Sequence, residues 1–269
     1  MTALNAQDEG YYTQISDDTY LPSGHAQGAW NAHEQHMAPV AGLLIHVAET
    51  FEKRPELQLA RVSLDILGLI PLEPTTVHAR ILRPGRTIEL VEVTAVVAGR
   101  PVVRGTAWRL IRSDSSPVAG ESLTDGLVEM PGPDDLADTT DLTHWPGGYI
   151  ESLQVKAAEL RPGHGRAWLR SAVPLLTGQA ATPTAEFLRL ADTANGIAPR
   201  GAPNQWLFPN VDYTVHLIRE PEPGWIGLDT RASYGTTGLG LTSSTIHDVH
   251  GPVGRLEQSL TIRRAQRRP

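Results

Sequence analysis

The chain has 269 residues, 40% hydrophobic and 20% charged, which is enough apolar content for a core, with no run long enough to span a membrane as a helix. It contains no cysteine, which excludes disulfides, thiolate nucleophiles and cysteine-based zinc sites, and its net charge of −7 argues against a nucleic-acid partner. The opening MTALNAQDEGYY lacks the basic-then-apolar order of a secretory signal, so a cytoplasmic location is expected. The arginines at the other end (Arg263, Arg264, Arg267, Arg268) read as a solvated terminus.

In chain order, the first predicted helix runs from Ala38 to Phe51 (APVAGLLIHVAETF), with Pro39 near its start, where a missing N–H costs nothing. Four β-type runs follow: LARVSLDILGLI, TTVHARIL, TIELVEVTAVV and PVVRGTAWRLI, with AGRP as a turn signal. Residues 113–148 are rich in Asp, Ser, Gly and Pro and read as a linker. A second helix is predicted from Thr182, a good N-cap, to the stop signal Asn195-Gly196. Beyond it lie VDYTVHLI, WIGLDTRASY, LGLTSSTIHDV and GRLEQSLTI, with HGPVG as a turn.

The two halves overlay. Residues 75–112 align with 226–263 without a gap, Pro101 on Pro252 and Arg104 on Arg255, and the helices align with Pro39 on Pro183 and Leu44 on Leu188. A strand candidate, one helix and then several long strands, twice over, predicts a duplicated α+β unit: residues 1–112, a linker 113–148, and residues 149–269.

The segments WNAHEQHMAPVAGLLIHVAE, LRLADTANG, FPNVDYTVHLIREP and GLGLTSSTIHDVHGPVGRLEQSLTIRR, in that order, resemble the bacterial thioesterase II-like acyl-CoA thioesterases of the double hot-dog superfamily. The resemblance covers nearly the whole chain apart from the linker and tails. It implies two antiparallel sheets, each wrapped around a central helix, hydrolysis of acyl-CoA or another acyl thioester, and no cofactor. It also implies a water-activating set of Asp, Thr or Ser, and Gln, which falls here on Asp192, Asn210 and Gln258. Asn210 departs from the hydroxyl pattern, although an amide also hydrogen-bonds water. His36 and Met37 fall where the chain leads into the substrate channel.

The residues carry part of this themselves. By strand alternation Gln258 shares a face with Leu256, Leu260 and Ile262, so its amide must be buried and needs partners. Ala185, Leu188, Asp192 and Asn195 recur at helical spacing, which puts a carboxylate on an apolar seam where desolvation raises its pKa. Asn210 alternates with Asp212, Thr214 and His216 and follows Pro209, just before regular pairing. In the overlay the three polar positions fall on Ala48, Arg61 and Ala107, so one site per chain is expected.

Other chemistry fares worse. HEQHM is one residue too short between histidines for the metalloprotease pattern, so no metal is expected. GTTGLG lacks a strand-then-helix setting, and neither a GxSxG elbow nor a GK[ST] loop occurs. A hot-dog hydratase pairs its Asp with a His about five residues on, where this chain has Ile197. Two readings stand: a thioesterase using Asp192, or a catalytically decayed acyl-thioester-binding protein, which the Asn210 departure motivates. The duplication predicts a monomer equal to a hot-dog dimer, with a continuous sheet. Association of such monomers into a homo-oligomer is expected through an outward row Val91, Val93, Ala95, Val97.

Overall fold

The computed structural model describes residues 9–139, 142 and 145–265. Arg267 and Arg268 of the basic tail, and the first eight residues, lie outside the described residues. The first half contains β1 (Tyr12–Gln14), β2 (Thr19–Pro22), α1 (Met37–Thr50), β3 (Leu57–Ile66), β4 (Thr75–Arg83), β5 (Ile88–Val97) and β6 (Arg100–Ile111). The second contains α2 (Gly148–Glu151), β7 (Leu153–Arg161), β8 (His164–Ser171), α3 (Pro183–Leu188), α4 (Ala194–Ile197), β9 (Trp206–Leu207), β10 (Asp212–Leu217), β11 (Ile226–Tyr234), β12 (Leu239–Asp248), β13 (Gly251–Thr261) and β14 (Arg263–Arg264).

All strands but the small β9–β14 pair form one antiparallel sheet, in the order β1-β2-β4-β5-β6-β3-β10-β13-β12-β11-β8-β7. The order is a palindrome of equivalent strands. Each ladder recurs with both partners advanced by the same step: Val77 pairs with Ala95, and Leu228 with Ile246. Likewise Ser63 pairs with Thr106, and Thr214 with Glu257. The halves meet where β3 pairs with β10, and at the centre of that ladder Ser63 lies opposite Thr214, their hydroxyls 2.9 Å apart. This is the continuous-sheet duplication expected of a double hot-dog. Ahead of each helix the sequence suggests one strand, without bounds, where the structure has two: β1 and β2, and β7 and β8. β1 and β2 are very short, and β7 is half-buried along most of its length, which blurs the alternation that marks a strand.

Each half of the sheet curls around its own helix. α1 buries Ala38, Val40, Ala41, Leu43, Leu44, Ile45 and Ala48, and each fully buried Leu or Ile contributes roughly 1.5–3 kcal/mol. Pro39 is tolerated because the first helical N–H groups have no intrahelical acceptor. The facing strand row Val91, Val93, Ala95 and Val97 is 0–1% exposed. The expectation that this row faces solvent and drives oligomerisation is therefore wrong. The alternation is real, but this is the row that packs on α1, and the outer row carries Glu92, held between Arg80 and Arg104.

The second helix also differs from expectation. It breaks after Leu188, passes through a 3-10 turn at Ala191–Thr193, and resumes as α4, which runs through Asn195-Gly196 to Ile197. Buried hydroxyls take up carbonyls freed at the break: Tyr213 donates to Leu188 O and Thr193 to Leu190 O. Thr182 precedes α3 but makes no side-chain cap, because its hydroxyl donates to Glu49.

The segment after β6 is more than a tether. It crosses the face of the second sheet opposite Gln258, where Arg255 donates to Leu123 O, Trp168 to Pro131 O and Lys156 to Pro133 O. It then returns to the first half, where Tyr149 N donates to Gln27 O.

α1 and α3 touch at Gly42, where a Cβ would lie 2.5 Å from Arg189 Cβ. Gly42→Ala should lower stability by about 1–3 kcal/mol, the cost of overpacking a tight contact, read as a shift in the urea midpoint. An unchanged midpoint would show that the helices separate freely.

Candidate active site

The site forms where the halves meet. A loop and helix start from the first half face the broken helix, the approach to β10, and β13 of the second. The loop is held by its own polar groups: Gln35 N donates to Ile70 O, and the Gln35 amide donates to Pro71 O and Thr75 Oγ1 while accepting from Tyr12. His36 then caps α1, its Nδ1 accepting from Ala38 N at 3.1 Å. That bond places the imidazole proton on Nε2. The ring stacks on Tyr149, centroids 4.0 Å apart, and burial lowers its pKa to about 3, so it is neutral. Met37, also buried, is the first residue of α1.

Asp192 is 3% exposed and stands in the 3-10 turn rather than on a continuous helical stripe. The helix break therefore corrects the spacing argument, while the conclusion that the carboxylate is buried stands. Its Oδ1 accepts from Asn210 Nδ2 at 2.7 Å and from Gln258 Nε2 at 2.8 Å. Its Oδ2 is 3.9 Å from His36 Nδ1, which is too far for a hydrogen bond, and with a neutral imidazole it is no ion pair. Burial raises the pKa to about 7, against the two amide bonds, which lower it, and with Asp212 adding a smaller upward push.

Asn210 precedes β10, bridging to Leu260, and its amide also donates to Asp212 O. Gln258 alternates with buried Leu256 and Leu260 as expected and is fully buried. Its Oε1 has no partner among the described residues. The expected trio is thus brought together, with both amides directed at the carboxylate. Sequence reasoning missed the part played by Asn195, whose amide donates to Asn210 Oδ1 at 3.4 Å. The spacing of Asn195 from Asp192, which puts both on one stripe, is the available signal, and it carries no partner for the amide.

Asp192, Asn195, Asn210, His36 and Met37 line a cavity of about 450 Å³, whose remaining wall is largely apolar (Trp30, Ile66, Leu69, Leu207, Val211) with Arg263 at the rim. Gln258 lies behind Asp192, off the cavity wall. The first half has no matching set. Asn210 bridges Leu260 as Leu59 pairs with Arg109, so its equivalent is Leu59 rather than the Arg61 of the sequence overlay, and Ala107 remains the match of Gln258. Among the described residues, no group could hold a metal ion and no helix is long and apolar enough to cross a membrane.

A paired hot-dog with a buried acid, Asp192, in the wall of a largely apolar cavity defines the class of protein. The family model for the acyl-CoA thioesterase N-terminal domain matches residues 26–110, and that for the C-terminal domain matches 124–262. The chain belongs to the acyl-CoA thioesterase family, a group of thioester hydrolases. Among solved structures it resembles a hot-dog-fold protein of Alicyclobacillus acidocaldarius, with a TM-score of 0.77 and 14% identity over 98% of this chain and 100% of that one. It also resembles an acyl-CoA thioesterase II of Mycobacterium marinum (0.67, 18%, 96% of each chain) and a TesB protein of Mycobacterium avium subspecies paratuberculosis (0.68, 15%, 94% and 96%). No curated protein matches the sequence.

A carboxyl with a raised folded pKa holds its proton more tightly when folded. It favours folding below its unfolded pKa near 3.8, and that contribution is lost as pH rises through about 7. Asp192→Asn should therefore be more stable than wild type at pH 8, by at most roughly 4 kcal/mol, with the gap closing below pH 4. Denaturant midpoints at the two pH values measure it; a variant less stable at pH 8 would mean the charge is well solvated.

Proposed function

We propose that the chain hydrolyses acyl-CoA or a related acyl thioester, with Asp192 as general base. The observation that carries this reading is the carboxylate itself: buried in the wall of a largely apolar cavity, without a cationic partner among the described residues, and with a pKa near 7. A base tuned to neutral pH is half-ionised where it works.

Asn210 and Gln258 occupy Oδ1, which leaves Oδ2 to take a proton. A water beside Oδ2 attacks the thioester carbonyl carbon and gives its proton to Asp192. The oxyanion needs a donor, and the start of α1 supplies one. Ala38 N–H is taken by His36 and Pro39 has none, so Met37 N–H is the donor there, with no partner among the described residues. Collapse of the tetrahedral intermediate breaks the C–S bond, and the thiolate recovers the proton from Asp192. Because a thioester is already activated, no covalent enzyme intermediate is needed. Gln258 acts as a positioning residue and Asn210 shares that duty from the cavity wall.

Purified protein should release free thiol from acyl-CoAs, with kcat/KM rising with pH around an apparent pKa near 7. Asp192→Asn should reduce the rate about 100-fold or more and abolish that pH dependence. An unchanged rate would remove Asp192 from the mechanism. Asn210, standing where the family pattern has a hydroxyl, favours one second reading: a protein that binds acyl thioesters without turning them over. Saturable binding with no thiol release would select it.

A further inference from the structure

Beside the catalytic cavity lies a second hollow of about 400 Å³, lined by Leu160, Pro162, Ile197, Pro199 and Pro203, with Arg161 and Arg200. Between the two is a void of about 20 Å³. It shares Ala29, Trp30, His36 and Asn195 with the catalytic cavity, and Leu142 and Gly196 with the hollow. A space that small holds about one water and no length of hydrocarbon. The three spaces therefore lie in a row, and the middle one is the constriction.

What narrows it is an aromatic cluster. Trp30 meets Trp145 edge-on at 4.9 Å and Phe208 at 5.3 Å, and Trp145 meets Phe208 at 5.7 Å. Trp145 and Phe208 are buried, and the Trp145 indole donates to Gly196 O at 3.3 Å. Trp30 is 37% exposed and presents the large apolar side chain that borders both the catalytic cavity and the void.

We propose that Trp30 is the specificity-determining wall of the acyl channel: it stops the far end of the acyl chain, and the open hollow beyond the void, bordered by Leu142 and Gly196, is the extension for longer chains. This rests on the thioester reading above. With the carbonyl beside Asp192 and the anionic end of the thioester leaving past Arg263 at the rim, the hydrocarbon runs along the apolar wall and ends on the Trp30 indole. The lining beyond the partition, mostly proline and aliphatic, suits more of the same chain.

The test is binding of non-hydrolysable acyl-CoA thioethers of increasing chain length by titration calorimetry, paired with thiol release from the matching thioesters. In the wild type, affinity should rise roughly fourfold per methylene and then stop at a limiting length. In Trp30→Ala the rise should continue past that limit, giving about tenfold or more for chains two methylenes longer than the limiting one. Trp30→Phe, which keeps an aromatic wall, should hold the wild-type limit. An unchanged limit in Trp30→Ala, or a uniform loss at all lengths, overturns the inference, as does the absence of binding at every length. Binding with a length limit but no thiol release leaves the wall in place and sinks only the hydrolytic reading.

Discussion

The pairing of β3 with β10 is the constraint on which the rest of this molecule depends. Each half alone is a curled sheet around a helix, with a long edge of unpaired N–H and C=O groups. Joining those edges satisfies both at once, and the Ser63–Thr214 contact marks the point about which the two halves are related. The joint also sets the functional geometry. It carries the His36–Met37 helix start of one half against Asp192 of the other, so that neither half holds the site alone.

At that junction the electrostatics are set by what is missing. Asp192 is surrounded by neutral donors: two amides hold one oxygen, and the nearest basic side chain is an imidazole that burial keeps uncharged. A guanidinium in the same place would drive the pKa far below neutrality and leave a poor base. Amides instead fix the orientation and lower the pKa only enough to offset part of the desolvation. The first half shows the contrast. There Arg109 pairs with buried Glu89 and also donates to Phe51 O just beyond α1, a structural use of a charged pair.

The duplication has diverged so that the buried Asp192–Asn210–Gln258 set occurs in the second copy, while the first contributes the facing helix start. In the second copy the helix is broken, and the break brings Asp192 to the cavity. In the first, α1 is continuous and has Ala48 in its buried face. The second sheet is strapped on its outer side by the inter-half segment, through bonds to Leu123, Pro131 and Pro133 carbonyls. The straps on Arg255, Trp168 and Lys156 have no counterpart in a composition-based reading, since a Pro- and Asp-rich stretch looks alike whether it crosses solvent or a sheet.

Strand alternation, helix spacing and the repeat of elements were enough to give the duplicated α+β layout. They also gave the burial of Gln258, a local property of strand period, whereas Asp192 is buried in a 3-10 turn that the helical spacing did not foresee. The face of β5 that looks inward was not legible: Val91, Val93, Ala95 and Val97 alternate equally well whether they meet a helix or a partner. The curl of the sheet around α1 decided it. Nor was the break after Leu188, since Tyr213, distant in sequence, supplies one of the donors that make it tolerable. The direction of the Asn210 and Gln258 amides likewise belongs to the tertiary structure. Hydrogen-bond partners brought together across the chain, rather than the residue's own type, determine where a buried amide points.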